Sequence, residues 1–400
     1  MEIEKPYLFT EINDNFFNFL VVEYNEELDF KIIYSKSVKS EGVSLGKIFN
    51  LETCFEIIQN NINQIEKEVN FIFNKVTVIS DIFNLECLNI SSGKKLNGAQ
   101  VTEDDISYIL NNIKKLVVDN EPNKSILHLF NSNFVIDDVI SKKIPIGLFG
   151  EFYNQHLTFY LLSKTDLKNF KSIFNRCKIN IERIFLKNFV EGINLINKEK
   201  INSKFALINI YGKKSNISFF DNLSPIYSEN FKFGSDIIIQ DISKICSFSF
   251  NTAKKIIFEN NFDQIDKNLN KKYLPEKYFD ETKFRKISFS HIKNIIDARI
   301  EEITDLIYEN NINLKEIKNK NDLVYIYFQD EGIFKNLALS FKKNFSNLEN
   351  FKSFKQTKDE LMNACISSAE LLGKGWEKEA IPITQSKKSI ISRIFSSFFQ

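Results

Sequence analysis

Apolar residues recur along this chain in two rhythms. One alternates every second residue or runs unbroken for five or six, as strands do. The other returns every three to four residues, as helix faces do. Strand-like stretches open the chain at 7–9, 16–23 and 29–35, with Asn25, Glu26 and Glu27 as a hairpin turn between the last two. A helix is predicted over 52–69, where Cys54, Ile57, Ile58, Ile62, Ile65 and Val69 share a face. Strands are predicted at 75–80 and 85–92. A helix then starts with Thr102 as its cap and acids in its first turn. Strands at 125–130, 133–136 and 157–162 precede a helix capped by Thr165 that ends near Cys177. A short strand at 180–186 and a helix at 189–196 follow.

From residue 204 the rhythm returns to alternation. Stretches 204–210, 216–220 and 225–231 predict a meander with turns at Gly212 and at Asp221-Asn222. Helices are predicted at 235–246, 290–310, 333–345 and 358–373, with a strand at 322–328. The helix over 290–310 carries the clearest stripe: Ile292, Ile295, Ile296, Ile300, Ile303 and Ile307. Residues 259–286 are polar and mixed in sign. Residues 374–385, with Pro382, read as an irregular linker. A strand meander followed by a helix thus occurs twice, from residue 7 and from residue 204, which predicts an α/β fold with an internal duplication. Residues 76–163 form an inserted α+β unit.

The last fifteen residues are patterned most sharply. Ile390, Ile391, Ile394, Phe395, Phe398 and Phe399 fill one half of a helical wheel, and Ser389, Ser392, Arg393, Ser396 and Ser397 fill the other. Lys387 and Lys388 lead it. Such a helix rises about 20 Å, short of the ~30 Å hydrocarbon core, so it is suited to lie in a membrane interface and not to cross it. The alternative use of the same pattern is a last helix docked on its own domain.

Composition adds exclusions. With 43% hydrophobic and 26% charged residues, the 400-residue chain has an ordinary globular makeup and room for two or more domains. A net charge of +1 gives no field for nucleic acid. Five cysteines without a CxxC pair, and an opening without a signal-peptide pattern, predict a reducing cytoplasmic setting. No Ser-His-Asp, Cys-His or metal-ligand constellation stands out, and His128, His156 and His291 are isolated.

Several stretches, in order, resemble the actin-like ATPase superfamily and, within it, the FtsA family of bacterial cell-division proteins. SILHLF at 125–130, FVID at 134–137 and IPIGLFG at 144–150 are similar to the family's SHS2 insert. FALINIYGKKSNISFF at 205–220 lies where the family has its second phosphate loop, and IIDARIEE at 295–302 resembles a family helix. The resemblance implies a two-lobed actin-like fold of duplicated RNase H-like units. Lobe 1 would comprise 1–75, 164–200 and 358–373, with the SHS2 insert at 76–163. Lobe 2 would comprise 201–240 and 291–357, with a small subdomain at 241–290. The linker at 374–385 and the amphipathic helix at 386–400 complete the plan.

The resemblance also implies ATP and Mg²⁺ held between two hairpins. Phosphate loops need backbone N–H groups at close range, which glycine permits, and acids that organise the metal. The family's first loop reads DIGTSKV; here it is Glu11-Ile12-Asn13-Asp14-Asn15-Phe16-Phe17. The second reads DIGGGTTD; here Asn209 and Asn216 replace both acids, and Tyr211 and Lys213 replace glycines. Where a third glycine-rich stretch belongs, Tyr327 and Phe328 are expected to fill the adenine cleft. Asn13, Asp14, Gly212, Ser215 and Gly234 are the candidate remnants of the site, with Lys213 and Lys214 as point charges. The expectation is no catalysis and no bound cofactor, with ATP and Mg²⁺ as the ligands if the site survives.

The implied job is a scaffold at the division septum, peripheral on the cytoplasmic face of the inner membrane. It would tether FtsZ filaments, recruit later division proteins and self-associate through the SHS2 insert. Lys254, Lys255, Lys267, Lys271 and Lys272 make 241–290 locally basic, a partial complement to an acidic FtsZ C-terminal peptide or simply a solvated surface. Lys387, Lys388, Ile390, Ile391, Arg393, Ile394, Phe395, Phe398 and Phe399 would bind anionic lipid. A working actin-like ATPase and a pilus-assembly-type scaffold remain the alternatives.

Overall fold

A computed structural model describes residues 5–141, 143–264, 272–280, 282–319, 322–344, 351–355 and 362–380. The tail helix expected over 386–400 lies outside them, as do Lys267 and Lys271. The chain opens with three strands, β1 (Pro6–Ile12), β2 (Phe16–Tyr24) and β3 (Phe30–Lys39), and a small ribbon, β4 (Val43–Ser44) and β5 (Lys47–Ile48). Helix α1 (Leu51–Val69) buries Cys54, Ile58, Ile62 and Ile65, and Asn50 caps it by accepting from Thr53 N. Then come β6 (Lys75–Ser80), β7 (Glu86–Lys95) and α2 (Glu103–Asn120), whose Thr102–Asp105 capping box closes reciprocally.

Strand β8 (Lys124–Ile136) is one element where two were expected. Asn131 and Ser132 look like a break in the sequence. In the sheet, Asn131 accepts from Gln155 (2.6 Å), Ser132 hydrogen-bonds Thr158 (2.6 Å), and a bulge absorbs the extra residue. After β9 (Val139–Ser141) and β10 (Phe152–Ser163) comes α3 (Lys164–Arg176). Its cap is Ser163, not Thr165: the Ser163 hydroxyl accepts from Asp166 N at 3.0 Å, two residues earlier than expected.

Strand β11 (Asn180–Leu186) and helix α4 (Lys187–Glu199) lead into the second meander, β12 (Phe205–Ile210), β13 (Ser215–Asp221) and β14 (Ser224–Phe231). Helices α5 (Asp236–Ile245) and α6 (Phe250–Glu259) follow; α6, capped by Ser249, was not expected. Helix α7 (Phe289–Thr304) stops short of the predicted end and gives way to a π-helical turn, Asp305–Glu309. There the Thr304 hydroxyl bonds back to the carbonyls of Ile300 and Glu301 and loosens the ladder. The remaining elements are β15 (Leu323–Phe328), α8 (Glu331–Lys343), β16 (Phe351–Lys355), α9 (Asn363–Lys374) and a two-residue β17 (Glu379–Ala380).

Two sheets repeat one plan. The first runs β3-β2-β1-β6-β11 and the third runs β14-β13-β12-β15-β16: a meander, then two crossover strands on the far side of its first strand. In both, the crossover strands pair in parallel. This is the internal duplication that the hydrophobic rhythm predicted. The second sheet, β17-β8-β10-β7 with β9 on β8, belongs to the insert. One face packs on α2 through Ile106, Ile109, Ile113 and Val117 against Leu129, Phe134 and Phe159, a core of its own. At about 1.5–3 kcal/mol per fully buried aliphatic or aromatic side chain, that contact alone gives the insert a substantial hydrophobic drive. The opposite face carries His128, Phe130 and Tyr160 toward Phe185 and Phe189.

The chain groups into two compact units. One comprises Met1–Asn202, Phe220–Ser228 and Asp359–Gln400; the other comprises Ser203–Phe219 and Glu229–Lys358. At one end of the insert, the segments 96–101, 137–138 and 147–152 are stitched by backbone hydrogen bonds, including Leu96 N to Glu151 O and Val101 N to Leu148 O. Asp137 and Asp138, both left-handed, form the tight turn before β9, and the Asp137 carboxylate accepts from Glu151 N and Phe152 N. This end exposes Val139, Ile140, Ile146, Leu148, Phe149 and Phe152. Phe149 is 68% accessible.

Candidate functional site

The two loops read as degenerate phosphate loops occupy equivalent places, each joining the first two strands of a repeated sheet. In the first unit, the turn between β1 and β2 is closed by Asn13. Its side-chain oxygen accepts from Asn15 N (2.9 Å) and Phe16 N (2.8 Å), an Asx turn, while its amide nitrogen donates to Glu11 (2.9 Å). Asp14 turns inward to the β4–β5 ribbon and accepts from Leu45 N (2.9 Å) and Gly46 N (2.7 Å). Only glycine fits at 46: φ is 68°, and an added Cβ would lie 1.8 Å from the carbonyl oxygen of Asp81. The Asp14 carboxylate thus serves the fold and is not a bare charge at the loop.

Beneath this turn lies a buried ion pair that the sequence did not disclose. Glu11 is fully buried, its Oε1 lies 2.9 Å from Lys187 Nζ, and its Oε2 accepts from Asn18 (2.7 Å). Lys187 is 1% exposed, and Glu191 stands 3.7 Å away on the next turn of α4. Burial pulls the Lys187 ammonium down, but Glu11, Glu191 and Asp81 together hold it well above its ordinary value. The Lys187 ammonium is therefore kept charged, and the separation of the two residues along the chain explains why no motif reveals the pair.

In the second unit, the turn between β12 and β13 is closed differently. Asn209 donates to Asn216 across the two strands at 3.1 Å, where the resemblance would place carboxylates. The loop is then clasped by the segment before α5: Ser235 N donates to Tyr211 O (2.8 Å), Asp236 N to Gly212 O (2.9 Å), and Ser215 Oγ to Phe233 O (2.8 Å). Gly234 makes this possible, since a Cβ there would meet the carbonyl oxygens of Tyr211, Gly212 and Lys214 at 2.1–2.7 Å. A Cβ on Gly212 would come within 3.1 Å of the Asp236 carboxylate. Burial lifts the Asp236 carboxyl above the usual range, with Lys254 and Lys213 pulling it back and Asp330 adding to the lift.

Of the two lysines expected to attract phosphate, Lys214 is buried with its ammonium 5.2 Å from the Tyr211 ring centre, and Lys213 is exposed. Phe328 is fully buried within its own unit, against Phe334 (6.0 Å) and Phe341 (5.1 Å), and Tyr327 beside it is half-buried. Asp330, two residues on, caps α8 by accepting from Gly332 N at 2.9 Å.

The basic residues of 241–290 are partly gathered. Lys254 and the exposed Lys255 sit together on α6, with Lys254 3.7 Å from Asp330. Lys272 lies in a preceding segment against the start of α7: its carbonyl accepts from Phe289 N, and its ammonium is 5.9 Å from the Phe289 ring centre. An open groove of about 530 Å³ in this unit is lined by Asn261, Asp263, Gln264, Phe334, Lys335, Ala338 and Leu339. Asp297 and Arg299 are both in ion pairs, though not with each other: Asp297 takes Lys293 (2.6 Å), and Arg299 takes Asp241 and Glu302. All five cysteines are free. Among the described residues, no group of three or more His, Cys, Asp or Glu is placed to hold a metal, and no helix is long and apolar enough to cross a membrane.

The segment assigned to a linker is built in over its first half. Asn131 N donates to Lys378 O (2.8 Å), Glu379 and Ala380 pair with Phe130 and Leu129 of β8, and Ala380 joins the insert core. Trp376 Nε1 donates to Leu223 O at 2.7 Å. A two-residue strand has no periodicity to read, so the pattern pointed only to irregularity.

No protein-family model matches the chain. The Bacillus subtilis cell division protein FtsA is 24% identical over 325 residues, covering 77% of this chain and 70% of that protein. FtsA of Neisseria meningitidis is 20% identical over 288 residues, covering 72% and 69%. FtsA of Buchnera aphidicola from Acyrthosiphon pisum is 23% identical over 237 residues, so the chain spans only a little over half of that relative, 56%. Among solved structures, the PilM–PilN type IV pilus biogenesis complex superposes with a TM-score of 0.56 at 9% identity, covering 92% of this chain and 98% of that one. MreB5 of Spiroplasma citri bound to ADP gives 0.50 at 11% identity, covering 92% and 96%. Those two likenesses speak to the fold alone. Seven matching relatives all carry the name FtsA, so the chain is similar to FtsA, as a divergent relative, and its fold is actin-like.

Proposed function

We propose that the chain is a cell-division scaffold that ties FtsZ filaments to the cytoplasmic face of the inner membrane at the septum and recruits later division proteins, with a nucleotide site that no longer works. The likeness to the FtsA relatives carries the scaffold reading. Support for an eroded site comes from where the polar atoms of both loops are directed. The N–H groups of Asn15 and Phe16 donate to Asn13, those of Leu45 and Gly46 to Asp14, and those of Ser235 and Asp236 to the carbonyls of Tyr211 and Gly212, so these donors already bond within the chain. A phosphate would have to displace those bonds, and each neutral one contributes about 0.5–1.5 kcal/mol net. Neither ATP nor Mg²⁺ is part of the proposed action.

The amphipathic pattern of 386–400 supplies the tether. Three cations near an anionic leaflet add about 1 kcal/mol each, beside the immersion of six large apolar side chains. One tail binds reversibly, and a row of tails on a self-associated polymer binds firmly through effective concentration. The exposed apolar end of the insert is the surface assigned to self-association, and α6 with the groove beside α8 is assigned to the FtsZ C-terminal peptide. The decisive experiment is co-sedimentation of the full chain with anionic vesicles, with and without that peptide. The wild type pellets and carries the peptide; Ile394→Glu with Phe395→Glu stays in the supernatant with an unchanged circular dichroism spectrum. A double variant that still pellets overturns the tether. Micromolar binding of ATP with Mg²⁺ in a calorimetric titration overturns the silent site and favours a working actin-like ATPase.

A further inference from the structure

The buried contact that holds the end of the described chain to the insert is built around a neutral histidine. His128, on β8, is wholly buried. Its Nε2 accepts from Leu186 N at 3.2 Å, so that nitrogen carries no proton. The proton must then sit on Nδ1, which donates to Glu379 Oε1 at 2.6 Å. The same carboxylate oxygen lies 2.5 Å from Arg183 Nη2 on β11. The other charged or titratable groups facing this spot are few. Tyr160 of β10 stands directly across the ladder from His128, and Cys87 of β7 stands across from Tyr160. The rest of the enclosure is the rings of Phe130, Phe185 and Phe189, with the Arg183 guanidinium 4.3 Å over Phe185. Glu379 Oε2 has no hydrogen-bond partner, so the side-chain part of the anchor rests on the two contacts at Oε1, beside the backbone pairing of the strap with β8.

We infer that His128 is a proton-sensitive lock on the strap 376–380: it fastens the strap while the imidazole is neutral and lets it go when the ring takes up a second proton. The reason is geometric. A proton added at Nε2 points a donor at the Leu186 N–H, which loses its only acceptor in the ring, and puts a second cation beside Arg183 in a site closed to water. The strap leads directly into residues 381–400, so its release frees the covalent root of the tail. This inference rests on the first unit's own contacts and stands whether or not the tail binds lipid.

The direction with pH follows. Burial, with Arg183, depresses the His128 basicity more than Glu379 restores it, so the folded ring titrates below its ordinary value near 6.5. A depressed histidine contributes its full stabilisation above about pH 6.5 and loses it as the pH falls below that point. Glu379 is held below the usual carboxylate range, and its share is lost only at lower pH still.

Trp376 is the single tryptophan of the chain and sits in the strap, so its fluorescence reports release. Acrylamide quenching of the full chain is expected to rise between pH 7 and 5.5, by up to about tenfold in the released-to-bound ratio per pH unit below 6.5, while far-ultraviolet circular dichroism stays constant. The glutamine amide offers a donor nitrogen and an acceptor oxygen and does not titrate, so His128→Gln is expected to hold the strap at pH 7.5 and to flatten the profile. Glu379→Gln is expected to quench readily at every pH. A flat wild-type profile, or the same slope in His128→Gln, overturns the lock. Should either variant fail to fold, a histidine titration of the wild type by NMR decides: a His128 resonance that titrates at its ordinary value without any change at Trp376 also overturns it.

Discussion

The turn after β1 and the turn after β12 hold the same place in two copies of one sheet plan, yet they are closed by opposite means. The first is charged. Glu11 and Lys187 form a buried pair that Asn13 and Asn18 complete, and Asp14 reaches out to hold a neighbouring ribbon. The second is nearly neutral. Two asparagine amides meet across the strands, and the loop is clasped by backbone hydrogen bonds that only Gly234 lets approach. A duplicated topology therefore does not fix the chemistry at its equivalent points. It fixes where a turn must be closed and leaves the means to local sequence. One turn is vulnerable to loss of charge and the other to an added methyl group.

That contrast can be broken in order of expected effect. Replacing Lys187 by Met leaves Glu11 buried without its cation, which should cost about 3–5 kcal/mol in urea unfolding of the first unit. Leucine at 11 together with Met at 187 should recover most of that loss. Gly234→Ala should cost the second unit about 1–3 kcal/mol, because the nearest oxygen is backbone and cannot swing away. Hydrogen exchange of β12 and β13 amides would locate the damage. Asp14→Ala removes the acceptor of two backbone N–H groups and should cost about 1–3 kcal/mol, read as faster exchange at Leu45 and Gly46.

The smallest effect is one of pH. The Lys187 ammonium is raised, so its contribution is complete below its ordinary value of 10.5 and is lost only as the pH climbs through the folded value. Between pH 7 and 9 the urea midpoint of the first unit should then carry the full contribution of this pair, and no pH slope should come from it. A slope there that Lys187→Met abolishes would contradict the assignment.

How much of this could be read from residues alone varies by element. The strands of both repeated sheets are apolar on both faces or alternate cleanly, so 75–80, 204–210 and 322–328 were visible as runs. Helix α6 was hidden by its lysines, although Ser249 as cap and Ala253, Ile256 and Ile257 form a legible stripe. The loops were legible as departures from a glycine-rich pattern, but their new purpose was not. Glu11 and Lys187 sit on different elements with no fixed spacing, and Glu379 meets His128 only because a two-residue strand pairs with β8. Contacts of that kind belong to tertiary structure, and local propensity carries no trace of them.

The bare end of the insert has a practical consequence. Val139, Ile140, Ile146, Leu148, Phe149 and Phe152 leave more grease in contact with solvent than scattered surface residues do. A preparation of this chain alone should be stickier the more concentrated it becomes, eluting earlier from a sizing column as the load rises. Changing Phe149 and Val139 to serine should make elution independent of load without disturbing α2 or its packing.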